Sequence, residues 1–337
     1  MVEKESVIEQ VTDTISDYVT GIPAPIRKNL FKALGHLCTA AVDIPVAKME
    51  SKSAEIRAAS AARIDIIKKE GESISKKLDV PKEYITKASE KFASKVIKEQ
   101  INLDQICFNA KYNLSQENFE KESKEPKNET EEISDDWLNE FENKAKLKSS
   151  ENMKFIFGKI LSGEIKSPGS ISIKTVNLLS QLDKNTAILF KKLCSICISL
   201  RYKDNTIINC CAASLDGAIG SNYLRKYGLS YSALTLLQEY GLVGYQIESR
   251  FPFNPCIFEK GKTVGAGLYF GKKDYALIPL DKEKYDRDLI LTGIGLTQSG
   301  CELFKIIPFS PNLEYTKDLE SFFQKKSLTM KEIKKNS

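Results

Sequence analysis

KNTAILFKKLCSICISL, residues 184–200, is the stretch whose conformation decides the fold. It follows Asp183, a residue type suited to capping a helix, and it is apolar nearly all round. The expectation is a single helix from Lys184 to about Leu200 at the centre of a helical domain, and with it a mainly α fold class.

Upstream, Asp135 or Asp136 caps a helix through Trp137, Phe141 and Ala145. Ser149 or Ser150 caps the next, whose Met153, Ile156, Phe157, Ile160 and Leu161 make a helical stripe. These helices join residues 184–200 in a central helical domain over 135–200, with Trp137 and Phe141 as core anchors.

Downstream the texture changes. SNYLRKY leads through Gly228-Leu229-Ser230 into YSALTLLQEY, which stops at Gly241. β-like stretches follow around Leu242–Ile247, Gly267–Phe270 and Asp274–Leu280, and LTQSGCELFKII then starts on a threonine cap. Helix, turn, helix, ribbon, helix is the order of a winged helix, so residues 201–312 are expected to form a winged-helix-like α+β domain. A basic helix or tail takes up 313–337.

Residues 1–112 read as an elongated α-helical module. An acidic lead helix ends at GIPAP. IRKNLFKALGHLCTAAV follows with Arg27, Lys28 and Lys32 on its polar side, and an alanine-rich helix runs from about Val46 to Leu78. Pro81 opens another, with Ile85, Ala88, Phe92, Val96, Leu103 and Ile106 on one side. Residues 113–134 hold few apolar side chains and read as an acidic flexible linker.

The total charge of +5 hides an asymmetry. Residues 113–142 carry eleven acids against three lysines, a local −8, so the rest of the chain carries +13. Basic flanks favour phosphates or anionic lipid. The acidic, polar N-terminus lacks the pattern of a signal peptide, and no run approaches the roughly 18 apolar residues of a membrane span. The expected location is cytoplasmic, with a peripheral position at the inner membrane as its extension, and the eight cysteines are expected as thiols.

GKILSGEIKSPGSISIK, residues 158–174, has the composition of a phosphate-binding loop. Gly158 and Gly163 have the required separation, but Glu164 stands where the lysine must be, and the segment follows a helix instead of a strand. It is read as a helix end, a turn at Pro168-Gly169 and a serine cap. Cys194-x-x-Cys197 with the adjacent Cys210-Cys211 lacks two zinc knuckles and a nearby histidine, so buried thiols are expected and no metal. His36 is the only histidine and no nucleophile motif accompanies it, so no catalytic residues and no cofactor are expected.

Two sets of contact residues follow from the charge. Arg27, Lys28 and Lys32 are candidates for an anionic surface. Arg225, Lys226, Lys260, Lys262, Lys272 and Lys273 are candidates for a nucleic-acid backbone. The helix that would enter the major groove, YSALTLLQEY, carries Glu239 and neither Arg nor Lys, so the sequence gives DNA recognition little support.

GIPAPIRKNLFKALGHL, the block DDWLNEFENKAKLKSSENMKFIFGKILSGEIKSPGSISIKT, LSQLDKNTAILFKKLC and LQEYGLV together resemble an uncharacterised bacterial family, the domain of unknown function numbered 2806. The resemblance covers roughly residues 21–305, and W-L-x-x-F with KILSGEIKSPGS is its most specific part. The central block is also distantly similar to the alpha-type abortive-infection proteins of bacteria. That similarity implies a part in phage defence and carries over no catalytic residues.

The expected function is therefore that of a non-enzymatic bacterial protein in phage defence. It would act through a protein partner, through self-association or on an anionic membrane surface. A winged-helix regulator that binds nucleic acid is the alternative, and an unrecognised enzyme ranks third.

Overall fold

The computed structural model describes residues 22–38, 81–117, 132–202, 206–217, 219–246, 248–259 and 265–333. The expected lead helix, the alanine-rich helix and the middle of the acidic linker lie outside the described residues, as do Lys260 and Lys262. The chain divides into two units, residues 1–176 and 177–337.

The first unit is helical: α1 (Ala24–Leu37), α2 (Lys82–Ser115), α3 (Asp135–Ala145) and α4 (Glu151–Lys166), with α5 (Ile173–Gln181) spanning the division. Trp137 and Phe141 are both buried, their rings stacked with centroids 5.0 Å apart, and Phe141 meets Phe157 at 5.6 Å. Such side chains stabilise a core by about 1.5–3 kcal/mol each. The indole N–H of Trp137 donates to the Ile171 carbonyl at 2.8 Å, so its one polar atom is satisfied. The acidic stretch is ordered at both edges. Leu114, near the end of α2, and Ile133 are fully buried, and the Ile133 N–H donates to buried Asn29.

The backbones of α2 and α4 come closest at Gly158. An added Cβ there would lie 2.5 Å from the Cβ of Asn109 and 3.1 Å from the Ile106 carbonyl. Lys154 donates to Gln105 and Lys166 to Glu117, so each residue of α2 lies beside the residue 49 positions later in α4. The two helices therefore run parallel in a fixed register.

The second unit is α+β, and here the mainly α expectation is corrected. The decisive stretch is not one helix. Asp183 caps α6 (Lys184–Cys194) by accepting from the Thr186 N–H at 2.9 Å, but α6 stops at Cys194. A tight turn at Ser195 and Ile196 follows, and the chain continues as strand β1 (Cys197–Arg201). Cys197, Ile198, Ser199 and Leu200 are all buried because β1 is central and covered on both faces. A strand buried on both faces loses the alternation that would mark it, so it reads as uniformly apolar.

β1 belongs to a seven-stranded antiparallel sheet with β2 (Ile207–Ala213), β3 (Ser249–Pro252), β4 (Gly267–Phe270), β5 (Lys273–Pro279), β6 (Ile290–Gly295) and β7 (Leu328–Glu332). The order is β3-β6-β2-β1-β4-β5-β7. Among the described helices of this unit are α7 (Tyr231–Glu239), α8 (Gln298–Ile306) and α9 (Leu313–Lys325). Phe304 of α8 packs on Tyr269, and Tyr315 of α9 packs on Phe270. Tyr269 and Phe270 are successive residues of β4 and point to opposite faces, so α8 and α9 cover the sheet from opposite sides. Tyr315 also donates to the Ala213 carbonyl at 3.0 Å.

The winged-helix arrangement falls with this topology. SNYLRKY is not an α-helix; its backbone forms two 3-10 turns, Ile219–Ser221 and Tyr223–Tyr227, separated by Asn222 at φ 63°. Of the expected strand Leu242–Ile247, the described residues 242–246 hold one isolated bridge, Val243 to Leu296. The β4–β5 hairpin is no separate wing either, because β4 also pairs with β1 and β5 with β7. The expected threonine cap holds: the Thr297 hydroxyl accepts from the Gly300 N–H at 3.1 Å.

Two glycines of α4 give a paired test. Gly158→Ala forces α2 and α4 apart and is expected to destabilise the first unit by about 1–3 kcal/mol. Nothing lies within 4 Å of a Cβ at Gly163, so Gly163→Ala is expected to stabilise it by up to about 1 kcal/mol. Trp137 is the only tryptophan, so its fluorescence during urea unfolding reports on this unit in both variants.

Candidate functional site

The register of α2 against α4 leaves part of α2 uncovered by that helix. With the offset of 49, Glu151 at the start of α4 lies beside Asn102, and the Asn102 amide caps the α3–α4 turn by donating to the Lys146 carbonyl. The residues from Lys82 to Gln100 run past the start of α4, a length of roughly 28 Å at the helical rise.

Along the packed half of α2, Leu103, Ile106, Ala110 and Leu114 are fully or almost fully buried. That face continues into the overhang through Val96, Phe92 and Ile85, with Ala88 and Tyr84 to one side of it. The overhang is open: Tyr84 is 68% exposed, Phe92 61% and Val96 43%, and Ala88 is exposed as well. Each step of four turns the position by about 40° around the helix, so Tyr84 lies about 120° from Val96, and Ala93, between them in sequence, is buried. Lys91 and Lys95 lie in the same stretch, and Lys95 reaches Glu99 at 3.8 Å. Single exposed apolar residues are ordinary on a protein surface, whereas several large ones along one helix mark a place of contact.

The cations singled out in the sequence take other positions. Arg27 is exposed on α1. Lys28 pairs with Glu132, and Lys32 pairs with Asp135 at 2.9 Å and Glu132 at 3.6 Å. The hydrogen bond to Asp135 raises the Lys32 pKa, and the one from Lys28 lowers that of Glu132. Arg225 is exposed, but Lys226 lies over the rings of Tyr223 and Tyr227 and donates to Asp318 at 2.9 Å. Tyr227 donates to the same carboxylate oxygen at 2.7 Å, and the two hydrogen bonds hold the Asp318 pKa below the usual carboxylate range. Lys273 pairs with Glu332 at 2.7 Å across β5 and β7, and Lys272 occupies the tight β4–β5 turn at φ 69°. The structure thus brings Lys28 and Lys32 together on acidic partners, whereas Lys226 and Lys273, of the described cations in the second set, pair with separate acids on α9 and β7.

GKILSGEIKSPGSISIK has a structural role in which Glu164 is the main part. Its buried carboxylate accepts from the Gly169 N–H at 2.6 Å and the Ile171 N–H at 2.9 Å, which fixes the turn after α4. Gly169 takes φ 79°, as the Pro-Gly turn requires. Ser172 accepts from the Thr175 N–H at 3.2 Å and caps α5. The acidic residue that breaks the phosphate-loop pattern is therefore the one that orders the loop.

Cys194, Cys197, Cys210, Cys211 and Cys301 lie in the sheet and in α6 and α8, whereas Cys38 and Cys107 belong to the first unit. Cys194, Cys197, Cys210 and Cys211 are buried, and among the described residues no group of three or more His, Cys, Asp or Glu side chains could hold a metal ion. Burial pushes the Cys197 thiol up to about 11 and that of Cys256 to about 12. A hydrogen bond to Cys210 and then burial raise Cys301 as well. The Arg201 guanidinium lies 3.5 Å over the Tyr269 ring and donates from Nε to Ser199 at 2.9 Å, tying β1 to β4 under α8. No helix among the described residues is long and apolar enough to cross a membrane.

The sequence placed Ile85, Ala88, Phe92 and Val96 on one side of their helix, together with Leu103 and Ile106; Ile85 is half-buried and the other three overhang residues are exposed. It held no sign of where the covering partner begins.

A model of a family described as proteins of unknown function, DUF2806, matches residues 86–320. The match takes in W-L-x-x-F, KILSGEIKSPGS and most of both units. No curated protein and no solved structure matches the chain.

Raised pKa values keep thiols protonated and slow to react at neutral pH. In native protein at pH 8, an aromatic disulfide reagent is expected to label at most the two partly exposed cysteines, Cys38 and Cys301. All eight should react in denaturant. Rapid native labelling of four or more would overturn the assignment of these thiols to the core.

Proposed function

The chain belongs to the protein family of unknown function DUF2806, and on that footing we propose a non-enzymatic role carried out by association with protein along the overhanging face of α2. One observation carries the reading. On the part of α2 that runs past the start of α4, Val96, Phe92, Ala88 and Tyr84 are open to solvent. Burying large apolar side chains contributes about 25 cal/mol per Å², and aromatic residues dominate the energetics of protein interfaces.

Two further points support a protein partner over a lipid surface. The Lys28 and Lys32 charges on α1 are met by Glu132 and Asp135, which leaves less net positive charge for anionic lipid. Tyr84, Phe92 and Val96 are large apolar side chains exposed along one helix, a form suited to docking on protein. A part in phage defence goes with this reading through the distant similarity of the central block to abortive-infection proteins, and it is carried by the sequence alone.

A photo-reactive phenylalanine analogue in place of Phe92, in full-length chain within the cells that make it, is expected to form protein adducts heavier than the chain. The same analogue in place of Glu90, on the other side of α2, is expected to form none. No adduct at position 92, or equal yields at the two positions, would end the association reading.

A further inference from the structure

We propose that Cys38 and Cys107 form a reversible disulfide in response to a hydroperoxide, a redox switch that ties the end of α1 to α2. The site is a meeting of two helices. Cys38 closes the C-terminal end of α1 with an extended backbone, its N–H donating to the Leu34 carbonyl at 2.9 Å. The preceding carbonyl, that of Leu37, accepts from the Gln100 side chain of α2 at 3.0 Å, and Gln100 also donates to Asp104 at 2.9 Å. Steps of four and three keep Gln100, Asp104 and Cys107 on one side of α2. That side receives the end of α1, and there the Cys38 and Cys107 thiols share a hydrogen bond.

The two thiols differ in the way such a pair requires. Cys38 is partly exposed, so a small oxidant reaches it, whereas Cys107 is fully buried. The hydrogen bond with Cys38, then burial, hold the Cys107 thiol well above the usual range, so it keeps its proton until it is used. Cys301 is the other partly exposed cysteine and also meets a buried thiol, Cys210. There the bond, then burial, raise Cys301 itself, so the thiol that an oxidant can reach is the one held protonated. The first pair is therefore the one suited to respond.

The chemistry balances in two steps. Cys38 Sγ attacks one oxygen of the hydroperoxide, the O–O bond breaks, and the thiol proton leaves with the other oxygen as water or alcohol. Cys38 is then a sulfenic acid, oxidised by two electrons. Cys107 Sγ attacks Cys38 Sγ, the S–O bond breaks, and the Cys107 proton departs with the hydroxyl as water. A dithiol reductant reverses the product by exchange. The disulfide closes residues 39–106 into a loop, which lowers the entropy of the unfolded chain. The switch stands whether or not the overhang of α2 binds a protein.

Full-length chain is to be treated with hydrogen peroxide, capped with a maleimide and digested with trypsin without reduction. Peptides 33–48 and 99–111 are expected to be joined, two hydrogens lighter than their sum. Dithiothreitol should part them, and Cys210 and Cys301 should still be thiols at that dose. Urea unfolding of the oxidised chain, followed at Trp137, should shift to higher concentration and return on reduction. In Cys107→Ala the sulfenic acid has no thiol to meet, so dimedone is expected to label Cys38 about tenfold more than in the unchanged chain.

The peptide link is read in the unchanged chain, so it decides even where the variant fails to fold. Cys38 oxidised to the sulfinic acid beside a free Cys107 overturns the proposal. So does a link from Cys38 to another chain, or no change at either cysteine. Oxidation of Cys210 and Cys301 at the same dose overturns the choice of this pair.

Discussion

The approach of α4 to α2 at Gly158 constrains everything built on the first unit. Because no side chain separates the backbones there, the helices settle at one depth and one register, which Gln105, Lys154, Glu117 and Lys166 mark along its length. That register decides how much of α2 lies beyond the start of α4. It also sets where the α3–α4 turn meets Asn102. The open stretch of α2 is therefore a product of helix register as much as of composition. A shift of one turn would cover or uncover a further pair of apolar residues.

In the second unit, β1 has the corresponding part. It is buried on both faces, so it needs a helix on each side, and α8 and α9 supply them through Phe304 and Tyr315. The thiols fit the same economy of space. Cysteine is small and weakly polar, and Cys197, Cys210 and Cys211 fill positions close to the sheet where larger residues would push the helices outward. Arg201 is a cation drawn into this layer, and the ring of Tyr269 and the Ser199 hydroxyl accommodate it.

Features that depend on neighbours in sequence were legible. The caps at Ser150, Asp183 and Thr297 form as their residue types require, and Trp137 and Phe141 anchor a core as their helical spacing implies. The sheet was not legible, for a physical reason. β1 and the end of β2 are buried on both faces, which erases the alternation of two that identifies a strand. The run SNYLRKY has helical composition, yet Asn222 and Gly228 in left-handed conformations at its two ends reduce it to a 3-10 turn. The apolar side of α2 was legible, whereas the exposure of Ala88, Phe92 and Val96 on it was not, since coverage depends on a partner helix 49 positions away. Glu164 shows the same limit: its sequence context excludes a phosphate, but its hydrogen bonds to the following turn belong to three dimensions.

The strand order has a consequence in time. Neighbours in the sheet come from distant parts of the chain, with β2 beside β6 and β5 beside β7. During synthesis β1 and β2 emerge long before the strands that flank them, and β5 keeps one open edge until Leu328–Glu332 has been made. The first unit, by contrast, has its α2–α4 contact in place as soon as Lys166 is out. The helical unit can thus fold while the sheet is still incomplete. The half-built sheet, with unpaired edges rich in Ile, Leu and Cys, is the species most exposed to misassembly.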